Sequence, residues 1–255
     1  MQPHPHAHSL TPKPKKQQLQ LIDREFETDI EGFIEAVLDE EKQDYQPTLE
    51  SFQVHANKIR QEIGDAMHAF QRNYHSGYEA ICEALDAEGV QRPQVSPENL
   101  AIFDDSLAFM EALDEGKAIY QLLGFTPEIM KKFYEIAVSL AEKNKYEKAR
   151  DAFYFLVTIA SDIAIFWLGL GLCNAKMLHF SAAADDFRRS LELDPQSSDA
   201  YLGAIHALLQ DGKQDEADAI CDQGLDFALK NRPEPLAESL GSILEEAKLF
   251  IQKSK

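Results

Sequence analysis

Residues 145–153 read KYEKARDAF, residues 179–187 read HFSAAADDF and residues 213–221 read KQDEADAIC, three phrases spaced by 34 residues. The same interval separates Phe133, Trp167 and Tyr201, then Ala149, Ala183 and Ala217, then Phe153, Phe187 and Cys221, while Gly169 and Gly203 keep the register. A period of this length is one helix–turn–helix unit of tetratricopeptide type, which cannot bury its apolar face alone and must stack on neighbours. The large residue of the first set fills the space between the two helices of a unit. The alanine lets the helices approach, and the aromatic four residues later packs under the next unit. These residues build the fold.

Three repeats follow, at about 130–163, 164–197 and 198–231, and Asp194-Pro195 stops the second because proline cannot continue a helix. So short an array needs a cover at its end. Residues 235–252, with Leu236, Leu240, Ile243, Leu244, Ala247, Leu249 and Phe250, are predicted to form that capping helix.

Working toward the N-terminus, residues 118–129 lead into the array, and residues 91–117 read as a linker followed by a connecting helix. Pro93 and Pro97 break the chain; Ser96 is placed as an N-cap with Pro97 at the first helical position. Residues 21–90 are read as an acidic helical domain. Ile22, Phe26, Ile30, Phe33, Ile34, Val37 and Leu38 form one amphipathic stripe. A second runs through Ile59, Ile63, Met67, Phe70, Tyr74, Tyr78, Ile81 and Leu85. The two predict an antiparallel hairpin with a shared aromatic face, and the first also offers a surface for a homodimer. Residues 1–20, rich in Pro, His, Lys and Gln, read as a disordered tail. The expected fold class is therefore all-α: about three tetratricopeptide repeats and a capping helix, preceded by an acidic helical domain.

Charge and chemistry narrow the function. The net charge is −19, and residues 21–115 hold 23 acidic against 6 basic side chains, which disfavours nucleic acid and anionic membranes as partners. The apolar run 153–173 imitates a membrane span, but Ser161-Asp162 interrupts it where the repeat register puts a turn. The opening MQPHPHAHSLTPKPKKQQLQ lacks the apolar region that a signal peptide needs. Cys82, Cys173 and Cys221 are too far apart for a metal site and sit among apolar residues, as small core residues do. No phosphate-binding glycine loop, zinc-protease motif, nucleophile elbow or Cys–His pair occurs. No enzyme, catalytic residue, metal or cofactor is expected.

A binding surface is expected on the first helices of the repeats. The row facing away from the packing interfaces reads Tyr134, Val138 and Ala141, then Leu168, Leu172 and Lys176, then Leu202, His206 and Leu209. An idle surface would be polar; this row is mostly apolar, the composition of a peptide groove. A carboxylate clamp would need Lys, Arg and Asn there instead.

The stretches YQLLGFTPEIMKKFYEIAVSLAEKNKYEKARDAFYFL (120–156) and FWLGLGLCNAKMLHFSAAADDF (166–187) resemble the class II chaperones of bacterial type III secretion systems, which escort translocator proteins. The phrase formed by Gly124, Met130 and Tyr134 is its most distinctive part. The resemblance spans residues 118–253. It implies a bacterial cytoplasmic chaperone, often dimeric, that works without ATP and holds a P-x-L-x-x-P-like segment of a secreted translocator or effector. Carried over residue by residue, it adds Tyr146 and Phe153 to the groove, beside Tyr134, Val138, Leu168 and Leu172. Val138 and Ala141 stand where the family has larger aromatics, and the acidic extension is longer than the family's usual arm. A repeat scaffold or regulator of a secretion machine, without chaperone activity, is the other reading. The linker segment Pro93-x-Val95-x-Pro97 is a further candidate occupant of the groove from within the chain.

Overall fold

A computed structural model describes residues 34, 35, 38, 42, 52–104, 106–231 and 235–253, and every regular element among them is helical. The elements are α1 (Phe52–Ala87), α2 (Pro97–Leu100), a 3₁₀ turn (Ala101–Asp104), α3 (Ser106–Asp114), α4 (Ile119–Leu122), α5 (Pro127–Glu142), α6 (Tyr146–Ile159), α7 (Ala164–Lys176), α8 (Phe180–Leu193), α9 (Ser198–Gln210), α10 (Gln214–Lys230) and α11 (Pro235–Lys253). Contacts group the chain into two units, residues 1–71 and 72–255.

In the first unit Ile34, Leu38 and Ala56 are buried together, with Phe52, Ile59 and Ile63 packed against them. Arg60 pairs with Glu35. Within this unit the two amphipathic stripes meet, as their spacing predicts. The other residues of the first stripe lie outside the described residues, as does the N-terminal tail with its histidines.

The second unit is the array. Its second helices begin at Tyr146, Phe180 and Gln214, keeping the 34-residue register. Ala149, Ala183 and Ala217 are fully buried, which is what close helix approach requires. Phe133 and Tyr201 are buried between the helices of their pairs. Trp167 departs from that role. Its indole is half-buried and donates to the Ser161 carbonyl at 2.8 Å, while Phe166 takes the core position. An indole is large, and its N–H needs a partner; the open carbonyl at the α6–α7 turn supplies one. Ser161 and Asp162 form that turn, and no helix among the described residues is long and apolar enough to cross a membrane.

Phe153 and Phe187 reach into the following repeats, each against a glycine. A Cβ on Gly169 would lie 2.3 Å from the Phe153 ring, and one on Gly203 2.6 Å from Phe187. Cys221 holds the third such place, its thiol donating to the Leu244 carbonyl of α11 at 3.1 Å. The capping helix turns Leu240, Leu244 and Ile251 inward, spaced by four and seven. Leu249 and Phe250 fall outside that face and are exposed, contrary to the expected stripe.

The opposite end of the array carries a cover that the sequence reading did not supply. The stretch of α1 from Arg72 onward packs on α6: the Tyr74 and Tyr78 rings lie 5.1 and 5.4 Å from Phe155, and Ile81 and Leu85 are buried. Lys148 pairs with Glu83, and Lys132 with Glu88 at 2.6 Å. The aromatic part of the stripe therefore serves the array, not a hairpin with the acidic helix. After α1 ends at Ala87 the chain turns at Gly89, whose φ of +69° allows the Val90 amide to reach back to the Leu85 carbonyl at 2.9 Å.

Ser96 caps α2 through the Asn99 amide at 3.2 Å with Pro97 at the first helical position, as expected. The connecting helix is not continuous, however; it divides into α2, the 3₁₀ turn and α3. At the entrance to the array, Thr126 accepts from the Ile129 amide and Pro127 opens α5, so the first repeat's leading helix starts ahead of the period.

Candidate functional site

The open face of the first two repeats forms a groove of about 470 Å³. Its walls come from three successive helices. From α5 come Tyr134, Val138, Ala141 and Glu142; α6 contributes Tyr146 and Phe153. The wall from α7 holds Ile165, Leu168, Gly169, Leu172, Cys173 and Lys176, and Asp199 at the start of α9 closes one rim. Most of this lining is apolar, and the charged groups stand at its edges.

The sequence of α7 explains the groove. AIFWLGLGLCNAK has no polar stripe, so burying one face leaves apolar residues on the others. Phe166, Leu170 and Cys173 enter the core, while Ile165 and Leu172 remain 45% and 46% exposed. A helix apolar all round yet open on one side lacks a partner on that side.

Aromatic packing sets the groove's shape. The Tyr134 ring lies 6.1 Å from Phe153 and 5.8 Å from Phe166. Burial raises the Tyr134 hydroxyl's pKa above its ordinary range. The Tyr146 hydroxyl donates to the Asn144 side chain at 2.7 Å, tying the rim to the α5–α6 turn. Burial also pushes the Cys173 thiol up to about 12, which keeps it protonated and weakly nucleophilic at neutral pH. All three cysteines are free and buried, and no cluster of His, Cys, Asp and Glu among the described residues could hold a metal ion.

Of the residues expected to bind peptide, Tyr134, Val138, Ala141, Tyr146, Phe153, Leu168 and Leu172 meet in this one cavity. Leu202, His206 and Leu209 do not line it. Leu209 packs against the core of the C-terminal repeats, and the exposed His206 meets Phe180 with ring centroids 6.2 Å apart. A row read by period treats every repeat as equivalent, whereas this cavity spans a single step from one repeat to the next. Ile165, Gly169, Cys173, Glu142 and Asp199 join the lining without having been expected there. Gly169 and Cys173 are neighbours of Leu168 and Leu172 along α7; nothing in the period marks Asp199.

The linker does not enter the groove. Pro93 and Gln94 flank a separate depression beside Ile129, Lys132 and Phe133, and Val95 packs on the core of the N-terminal repeats. Ile129, Lys132 and Phe133 share a face of α5 different from that of Val138 and Ala141.

No protein-family model and no curated protein matches the sequence. Among solved structures the chain is similar to type III secretion proteins. A type III secretion complex from Aeromonas hydrophila aligns at 25% identity over 56% of this chain and 97% of that chain, with a TM-score of 0.49. The translocator chaperone SycD of Yersinia enterocolitica aligns at 24% identity over 51% and 98%, with a TM-score of 0.44. PcrH from Pseudomonas aeruginosa aligns at 22% over 48% and 94%, with a TM-score of 0.41.

Proposed function

We propose that this chain is a non-enzymatic peptide-binding chaperone of the type III translocator class, acting in the bacterial cytoplasm. Its groove would hold an extended apolar, proline-containing segment of a secreted protein. The observation that carries this reading is the convergence of seven apolar and aromatic residues, from Tyr134 to Leu172, on one open cavity. The motif resemblance points the same way, and the stretches that carry it, residues 120–156 and 166–187, hold every lining residue of the cavity except Ile165 and Asp199.

The energetics suit a transient escort. Each large apolar side chain that leaves water contributes roughly 1.5–3 kcal/mol, and ordering the segment offsets part of this, which gives affinities on the order of micromolar. A fluorescein-labelled peptide, Ala-Ala-Pro-Ala-Leu-Ala-Ala-Pro-Ala-Ala, provides the direct assay by fluorescence anisotropy. Wild type is expected to bind it, and Leu172→Glu, a change at an exposed position, is expected to abolish binding with helical circular dichroism intact. Undiminished binding by Leu172→Glu would show that the segment docks elsewhere. Co-expression with an apolar secreted protein separates chaperone from scaffold, since only a chaperone keeps that protein soluble.

A further inference from the structure

We infer that Gly169, a residue of the repeat framework, also determines which side chains the groove accepts. The inference rests on the peptide-binding reading above and adds what that site selects. Two observations combine here. Gly169 and Phe153 both line the cavity, and a Cβ at Gly169 would come within 2.3, 2.4 and 2.7 Å of three atoms of the Phe153 ring. The ring therefore lies directly on the backbone of α7, in space that any side chain at 169 would occupy.

That contact fixes the depth of the groove. With glycine at 169 the ring lies against α7 and leaves open the cavity that it lines with Tyr134 and Leu168. With alanine the ring must move; Phe153 is packed in the core, and the cavity is the open space that it borders. The ring would therefore rise into the cavity and fill part of it. Gly169 thus makes the site prefer a large apolar side chain over a small one at one position of the bound segment.

The repeat architecture provides an internal control. Gly203 stands 34 residues on and meets Phe187 in the same way, with a Cβ that would lie 2.6 Å from that ring, but it does not line the cavity. Gly203→Ala carries the same kind of packing defect without touching the groove.

The test uses the full chain and two labelled peptides, the leucine peptide above and its counterpart with alanine in place of leucine. Wild type is expected to prefer the leucine peptide on the order of fiftyfold, the effect of three carbons of buried apolar side chain. Gly169→Ala is expected to reduce that preference to less than about twofold, and Gly203→Ala to keep it. The double variant Gly169→Ala/Phe153→Leu gives the new methyl group room; its thermal midpoint is expected to lie above that of Gly169→Ala, which reads the Gly169–Phe153 contact without peptide even where the single variant fails to fold. Full preference in folded Gly169→Ala, its loss in Gly203→Ala as well, or a double variant no more stable than Gly169→Ala would overturn the assignment. Absence of wild-type binding to both peptides would instead overturn the peptide-binding reading itself.

Discussion

Replacing Asp186 with asparagine should stabilise the array at alkaline pH and do little in acid. Asp186 lies on α8, and its carboxylate accepts from the Asn174 amide at 2.7 Å. Burial raises its pKa from 3.8 to about 7, with the Asn174 bond opposing that rise and the neighbouring Asp185 adding to it. In the unfolded chain the same carboxyl ionises near its ordinary value. Between about pH 4 and 7 the folded protein therefore holds a proton that the unfolded chain has released. Stability falls as pH rises through that window, and the full penalty is present above it. The difference between the two values corresponds to a penalty on the order of 4 kcal/mol, an upper bound for a half-buried side chain. Asp186→Asn keeps the shape and an oxygen to accept from Asn174, but removes the charge. Urea unfolding followed by circular dichroism at pH 4.5, 6 and 8 should find the variant more stable by roughly 2–4 kcal/mol at pH 8 and by less than about 1 kcal/mol at pH 4.5. A difference independent of pH, or a variant less stable at pH 8, would refute the argument.

Two further expectations concern the backbone. Leu178 has a φ of +64° in the α7–α8 turn and is 71% exposed, so a branched side chain sits in a left-handed conformation without burial in return. Leu178→Asn, matching Asn144 in the preceding repeat, should raise stability by about 0.5–1 kcal/mol, read as a higher thermal midpoint; an unchanged or lower midpoint counts against the strain. Gly77→Ala would put a methyl group 2.1 Å from the Asp151 carbonyl oxygen, whereas Gly64→Ala meets nothing within 4 Å. The first should destabilise by about 1–3 kcal/mol and the second stabilise by up to about 1 kcal/mol, as denaturant midpoints would show. Equal effects would mean that α1 does not approach α6 as closely as described.

How much could be read in advance depends on whether a feature repeats. Ala149, Ala183 and Ala217 share one chemical reason for being small, so the 34-residue comparison exposes them, and all three are buried. The turn residues Asn144, Leu178 and Gly212 also share a register and a positive φ. Their identities differ, however, and a leucine among them conceals the backbone requirement. A stripe such as Tyr74, Tyr78, Ile81 and Leu85 tells that a helix face is covered but not what covers it, and here the cover is the first repeat. The groove lies between these cases. Its floor was legible because α7 is apolar on a face that the repeat pattern leaves open. Its extent was not, because a cavity belongs to the space between helices, and Glu142, Tyr146 and Asp199 reach its edge from three different elements. Tyr146 was reached only through the motif resemblance, and the other two by neither route. Gly169 shows the limit most directly. The period marks it as a packing residue, and its contact with Phe153 agrees, yet the same contact faces the open groove. One glycine can meet the demands of packing and of recognition at once because both depend on the side chain it lacks.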